Sequence, residues 1–347
     1  MNPSVGPIAL LGSGETSLVG GRVFETLAQN LSRPLRIAVL ETPAGFELNS
    51  AQVAGRVADF LKIRLQNYDP IVNVVPTRKR GTPFSPDTPD ILTPLLSAQL
   101  VFMGPGSPTY AVRQLRGSLA WDLVRARHRL GAALVFASAA IVAIGAWTLP
   151  VYEIYKVGED VSAVPGLNLF ADFGLSLSFI PHWNNTEGGE EVDTSRCFVG
   201  LERFIQWCAL LPLGHITVGL DEHTTLIIDF AADECRVNGA GSVTLLSKKR
   251  SKTIPTGETF RLNKLGRFQK PIALEEGISV AAWTMVQSAV KPEKERDEIP
   301  TNVLALADER QRARARKDWS AADRLRDQIT ALGWHVHDTA DGQKLVK

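Results

Sequence analysis

The sequence predicts an α/β fold in which a mostly parallel sheet carries helices on both faces and is finished by an antiparallel extension. Three observations lead there. Across the first half, apolar runs of strand length alternate with segments whose apolar residues recur at helical spacing. Several of these runs end in glycine-rich turns. After Pro150 the alternation gives way to short strand-like runs separated by tight turns. Strand–helix alternation sends each chain segment back through a crossover, so neighbouring strands lie parallel and helices cover both faces.

Pro7 to Leu11 is the first strand, ending in Gly12-Ser13-Gly14. Leu35 to Glu41 is the second, and Ser50 to Gln66 follows as a helix with Val53, Val57, Phe60, Leu61 and Leu65 at helical spacing. Ile71 to Val75, Leu100 to Met103 and Ala132 to Phe136 are the third, fourth and fifth strands. Ile141 to Trp147 reads as the start of a helix. Leu175 to Pro181, Ile216 to Leu220, Thr224 to Phe230, Glu234 to Asn238 and Ser242 to Leu246 form the antiparallel extension of the same domain. Ser247 to Lys270 is basic and turn-rich, an exposed excursion, and Gly277 to Ala289 is a helix. The expected organisation is a domain over 1–290, a charged, proline-bounded linker over 291–300, and a separate helical hairpin over 301–347. In the hairpin's second helix, Ser320 reads as N-cap with Asp323 three residues on, and Gly333 lies just past the end. Ala322, Leu325, Ile329 and Leu332 share one face, against Leu304 and Ala307 of the preceding helix.

With 347 residues and 44% hydrophobic content, the chain can bury a sizeable core, and two units are ordinary at this length. A net charge of +1 gives no whole-chain pull towards nucleic acid or anionic membranes. Cys197, Cys208 and Cys235 are unclustered and fit no metal spacing, so the expectation is reduced thiols in a cytoplasmic protein. The N-terminus lacks a basic region before its short apolar run and reads as a strand, not a signal peptide. No stretch approaches membrane-span length.

In sheets of this kind ligands bind at the carboxyl ends of the strands. Three features collect at that edge: Gly12-Ser13-Gly14-Glu15, Gly104-Pro105-Gly106-Ser107-Pro108, and Ser138. A serine at a strand-to-helix turn has its hydroxyl lifted clear of the sheet, with a helix N-terminus that favours developing negative charge. Ser138 is therefore the candidate nucleophile. Gly104 and Gly106, paired with the N–H of Ala139, suit an oxyanion contribution. The glycine loops lack the third glycine of a dinucleotide fingerprint and the lysine of a P-loop, so they read as tight turns.

Base candidates are few. His128 sits in a basic helix end and reads as a solvated face, while His335 and His337 belong to the tail. His215 and His223 lie in turns beside strands, and His182 follows a strand in Pro181-His182-Trp183-Asn184-Asn185. A polar cluster just past a strand is the better place for a functional imidazole, with a structural histidine the standing alternative. The nearby carboxylates are Glu187, Glu190, Glu191, Asp193, Asp221 and Glu222. Taken as a metal set, His182, Glu187 and Asp193 match no spacing with a known mechanism. Glu153 and Lys156, in VYEIYK, either line the same cleft or form a surface ion pair.

The order FMGPGSPTY, FASAA, a strand ending at His182, then GLDEHT resembles the cyanophycinase and α-aspartyl dipeptidase group of serine peptidases, over residues 6 to 246. These belong to the class I glutamine-amidotransferase-like α/β sandwiches, so the resemblance implies a flavodoxin-like three-layer sandwich. It implies Ser138 as nucleophile, His182 as base and Glu222 as acid, with the Gly104–Ser107 loop contributing the oxyanion site. No metal or organic cofactor is called for. The substrate is expected to be a small peptide or amide lying near Gly14, Glu15 and Ser107. The chain departs from the family at the elbow, where Phe136 and Ala140 replace glycines and the phenyl ring is expected to crowd the turn. An acidic insertion, Thr186 to Thr194, follows His182. The competing reading is a catalytically silent binding module of amidotransferase-like fold, holding a small ligand or tRNA. The tail, ARKDWSAADRLRDQITALGWHVHDTADGQKLVK, resembles the C-terminal segment of cysteinyl-tRNA synthetases. That resemblance implies tRNA contact through 301–347, where Arg310, Arg312, Arg314, Arg316 and Lys317 could meet phosphates. A solvated helical hairpin is the plainer reading. The synthetase's catalytic signatures are absent, and no oligomeric state is implied.

Overall fold

A computed structural model describes residues 5–248, 250–290, 300–339 and 342–346. The chain divides into two compact units, Met1–Ala289 and Val290–Lys347. The linker expected over 291–300 lies, up to residue 299, outside the described residues.

In the first unit, β1 (Ile8–Leu11), β2 (Arg36–Leu40), β3 (Ile71–Val75), β4 (Leu100–Met103) and β5 (Ala133–Ala137) are the parallel strands. Between them run α1 (Leu18–Ala28), α2 (Ser50–Arg64), α3 (Thr93–Leu96), α4 (Pro108–Leu115) and α5 (Leu119–Arg129). The chain continues through α6 (Ala139–Ala143), β6 (Trp147–Thr148), β7 (Val164–Pro165), β8 (Leu177–Ile180) and α7 (Gly200–Leu210). It closes with β9 (Ile216–Leu220), β10 (Thr224–Asp229), β11 (Glu234–Gly239), β12 (Ser242–Ser247), β13 (Arg250–Pro255), β14 (Thr259–Arg261) and α8 (Val280–Val290). The large sheet has the order β14-β11-β10-β1-β5-β4-β2-β3, with β10, β11 and β14 joined antiparallel.

Alternation along each parallel strand builds two cores. Ile8, Leu10, Leu134 and Phe136 face one, which α4 and α5 close with Val112, Leu115, Trp121 and Val124. Ala9, Leu11, Val135 and Ala137 face the other, closed by Val23, Phe24 and Leu27 of α1 and Val57 and Leu61 of α2. This is the three-layer sandwich, and each fully buried Leu, Ile or Phe stabilises it by roughly 1.5–3 kcal/mol.

The structure corrects the sequence reading in several places. The expected extension is not one sheet. β10 and β11 extend the large sheet, whereas β8, β9, β12 and β13 form a second sheet of order β13-β12-β9-β8, in which β8 and β9 are parallel. The described residues of 247–270 are largely exposed, as expected, but carry β13, β14 and a 3-10 turn that buries Leu262 and Leu265, because its apolar residues answer a core distant in sequence. The helix expected over 141–147 begins earlier and is shorter, as α6.

His128 is no solvated face. It is 1% exposed, its Nε2 lies 2.8 Å from the Gly6 carbonyl, and burial pulls its pKa down to about 4. Beside it, Arg129 is likewise buried and reaches Asp172 at 3.1 Å, and Arg125 reaches the same carboxylate at 2.6 Å. The helix end reads basic because its cations answer a partner 43 and 47 positions away in sequence.

The second unit contains α9 (Thr301–Ala315), α10 (Trp319–Ala331), β15 (His335–Thr339) and β16 (Gly342–Val346). Beyond the expected helical hairpin there is thus an antiparallel β-hairpin. Asp318, not Ser320, caps α10, accepting from the Ala321 N–H at 3.0 Å. Val303, Ala307, Ala322, Ile329 and Trp334 are buried, while Leu304 and Leu332 are each 45% exposed. Gly333, at φ +81°, ends α10 in a conformation that other residues resist.

Candidate active site

The topology delivers the expected residues to one edge. Leu11, the last residue of β1, lies opposite Ala137 of β5 and Thr225 of β10. Gly12 therefore sits between the Ser138 turn and the β9–β10 turn. A Cβ on Gly12 would come 2.1 Å from the Asp221 carbonyl oxygen, so only glycine lets the two turns meet. The His182 N–H donates to the Gly12 carbonyl at 3.2 Å, tying the end of β8 to the same place.

Ser138 is the N-cap of α6 with φ +51° and ψ −120°, a strained conformation for a residue with a side chain. Its hydroxyl makes no capping bond. Instead Oγ lies 3.2 Å from Nε2 of His182. On the other side of the ring, Nδ1 donates to Glu222 Oε1 at 2.8 Å. A carboxylate only accepts, so this bond places a proton on Nδ1, and in the neutral ring Nε2 is then an acceptor facing the serine. Left-handed backbone also occurs at His182, His223, Arg196, Cys197 and Phe198, all in the turns around this point.

Glu222 is held twice more. Asn185 Nδ2 donates to Oε1 at 2.9 Å, and the Glu222 N–H donates to Asn184 Oδ1 at 2.8 Å. Desolvation raises the carboxyl pKa, but the bonds from Asn185 and His182 outweigh it and hold the group below the usual carboxylate range. Asn185, 2% exposed, is the residue sequence reasoning missed, though its place in the polar run after His182 was the available signal.

Phe136 does not crowd the turn. Its ring belongs to the first core and is 1% exposed, while Ser138 stays partly open to solvent. Ala140, at the other place where the resembled family has glycine, is fully buried, and its N–H donates to the Gly104 carbonyl at 3.3 Å. As the first residue of α6, Ala139 has an N–H without an intrahelical acceptor. Gly106 has φ +140°, and a Cβ there would fall 2.0 Å from the Pro43 carbonyl oxygen.

Ser107 is spent on structure. Its N–H donates to Pro43, and its hydroxyl accepts from the Tyr110 N–H at the start of α4. Gly14, at φ +75°, packs against His223, whose Nδ1 a Cβ would meet at 2.4 Å. Glu15 is half-buried in the same loop and forms no ion pair among the described residues.

The remaining candidates are engaged elsewhere. Asp193 accepts from the N–H groups of Ser195 and Leu201 at the start of α7, and no metal-holding cluster occurs among the described residues. Glu153 accepts from Thr109 Oγ1, while Lys156 lies 4.2 Å from the Tyr152 ring centroid, so the two are not an ion pair. Glu153 helps line a cavity of about 440 Å³ with Arg113 and Arg116, apart from the serine and histidine. His215 Nδ1 lies 2.9 Å from Ser176 Oγ. Burial pushes the thiols of Cys197 and Cys235 up to about 12 and that of Cys208 to about 11, so each is protonated at neutral pH and none competes with Ser138.

An elbow serine, an imidazole and a carboxylate in hydrogen-bonded series on an α/β sandwich are the arrangement of nucleophilic hydrolases. The first unit is similar in fold to the crystal structure of a peptidase from an acI-B1 Actinobacterium, with a TM-score of 0.60 and 19% identity over 75% of this chain and 98% of that one. Residues 296–344 match the family model of the cysteinyl-tRNA ligase anticodon binding domain. Cysteine–tRNA ligase 1 of Burkholderia lata is 54% identical over 48 residues, covering 14% of this chain and 10% of that protein. Cysteine–tRNA ligase of Methanosarcina mazei is 43% identical over 51 residues, covering 15% and 11%. The chain thus spans about a tenth of the length of these curated relatives. Among the described residues no helix is long and apolar enough to cross a membrane.

Proposed function

We propose that the first unit is a serine hydrolase of peptide or amide bonds, working through an acyl-enzyme. The observation that carries this reading is the series Ser138 Oγ, His182 and Glu222, with the serine in a strained turn and its hydroxyl uncommitted to capping. Likeness in fold to a protein described as a peptidase supports it. As Oγ attacks the carbonyl, Nε2 of His182 takes its proton. Glu222 stabilises the imidazolium that forms, and the Ala139 N–H faces the developing oxyanion. The imidazolium then protonates the leaving amine, and water, activated by the same ring, releases the acid. A fluorophosphonate probe is expected to label the wild type covalently at Ser138 and to leave Ser138→Ala unlabelled. Absence of labelling in the wild type would instead leave a silent binding module of the same fold.

For the second unit we propose contact with tRNA, supported by the match of 296–344 to an anticodon-binding family. Arg310 is not part of the contact surface, since it is 2% exposed and donates to Gln343 at 2.8 Å. Arg312, Arg316 and Lys317 are exposed at the end of α9 and suit phosphates. Changing these three to glutamate in the full chain should weaken tRNA binding by about tenfold or more and flatten its salt dependence. An unchanged affinity in a filter-binding titration would remove the proposal.

A further inference from the structure

Resting on the serine-hydrolase reading, we propose that the site takes a large apolar side chain, preferentially aromatic, on the amine side of the scissile bond. The direction follows from the imidazole. Nε2 of His182 both faces Ser138 and must later deliver a proton to the leaving nitrogen, so the amine portion of the substrate lies along the edge of this ring.

Aromatic groups stand beside that ring. The Phe198 ring lies 5.3 Å from the His182 ring and is held there by three successive left-handed residues, Arg196, Cys197 and Phe198. The Cys197 N–H bonds the His182 carbonyl while its side chain enters the core. Tyr155 follows 5.8 Å from Phe198 and is 46% exposed. Three residues earlier on the same turn, Tyr152 lies edge-on to Phe46 at 6.5 Å, and Phe46 packs on Tyr110 at 5.1 Å with 46% of its own surface exposed. Half-exposed rings in series from a candidate base outward are costly to leave in water and match a flat apolar partner.

Two cations nearby already lie against rings. Arg196 lies 4.0 Å from the Trp183 ring centroid and donates to the Trp183 carbonyl at 2.6 Å. Lys156 lies over Tyr152. An acidic side chain entering between Phe198 and Tyr155 would lose water against two rings, with Lys156 and Arg196 already drawn to Tyr152 and Trp183.

The test digests a defined mixture of synthetic peptides, with every residue type at every position, using the full-length protein, and reads the cut sites by mass spectrometry. Cuts before Phe, Tyr, Trp or Leu are expected to exceed cuts before Asp, Glu or Lys by at least about tenfold. Tyr155→Ala should shrink that ratio several-fold, and Tyr155→Phe should restore it. Equal or charged-residue cutting overturns the proposal, as does a ratio that Tyr155→Ala leaves unmoved. Fluorophosphonate labelling of the wild type is run in parallel. Labelling without any cut before an aromatic residue defeats this inference alone, whereas absence of labelling defeats the hydrolase reading beneath it.

Discussion

Replacing His182 by alanine is expected to lower kcat/KM for amide hydrolysis by about 10⁴- to 10⁶-fold, with the larger part in kcat. In the proposed mechanism the imidazole makes its decisive contribution after the substrate is bound, as it takes the proton from Ser138 and passes it to the leaving group. Without it the serine hydroxyl stays protonated and a poor nucleophile. Residues that act as a unit are not additive, so the Ser138→Ala, His182→Ala double variant should be scarcely slower than either single one. Steady-state kinetics on a peptide cut by the wild type measures both points. A loss below tenfold, or a double variant whose deficits multiply, would show that the hydrogen-bonded series is not the catalytic path. Circular dichroism should show the fold unchanged, since His182 is a turn residue at the rim of the sheet.

The second large effect is on stability. Asp172→Ala is expected to destabilise the first unit by about 3–5 kcal/mol, because it leaves the buried Arg129 guanidinium without its counter-charge and Arg125 with Asp122 alone. Asp172 receives two bonds from Arg125, at 3.0 and 2.6 Å, and a third contact from Arg129, whose side chain is 1% exposed. Urea unfolding followed by tryptophan fluorescence measures the loss. If the penalty comes from the stranded charges, adding Arg129→Met to Asp172→Ala should recover part of it. No recovery would mean that packing around Phe173, not charge, sets the cost.

The sequence and the structure differ in an orderly way. Ile71–Val75, Leu100–Met103 and Ile216–Leu220 are read without error because strand length, β-branched content and bounding turns agree locally. The carboxyl-edge loops are legible for the same reason, since glycines at Gly12, Gly14, Gly104 and Gly106 announce tight backbone. His128 fails because the pattern Arg-His-Arg looks solvated until Asp172 and Gly6 are placed against it. Ser320 fails because Asp318 offers an equally good cap two residues earlier, and local spacing does not choose between them. The described residues of 247–270 are largely exposed as read, but the strands there and the burial of Ile254, Leu262 and Leu265 escape local pattern, because those side chains gain value only from a core assembled elsewhere.

What the sequence determined by itself is everything that repeats at short range: the alternation of strands and helices, the glycine turns, and the small list of groups able to act as nucleophile, base and acid. Tertiary structure alone decided which members of that list meet. Ser138, His182 and Glu222 are separated by 44 and 40 positions; the pairing of β1 with β5 and β10 brings the turns of Ser138 and Glu222 together, and the parallel pairing of β8 with β9 brings His182 to them. It also decided that Phe136 turns into the core and leaves Ser138 open, that Ser107 is consumed by a helix cap, and that Asn185 holds the acid. The physical reason is that strand register and burial are long-range quantities. A residue's hydrogen-bonding partner and its exposure are set by segments far away in the chain, and no local pattern carries them.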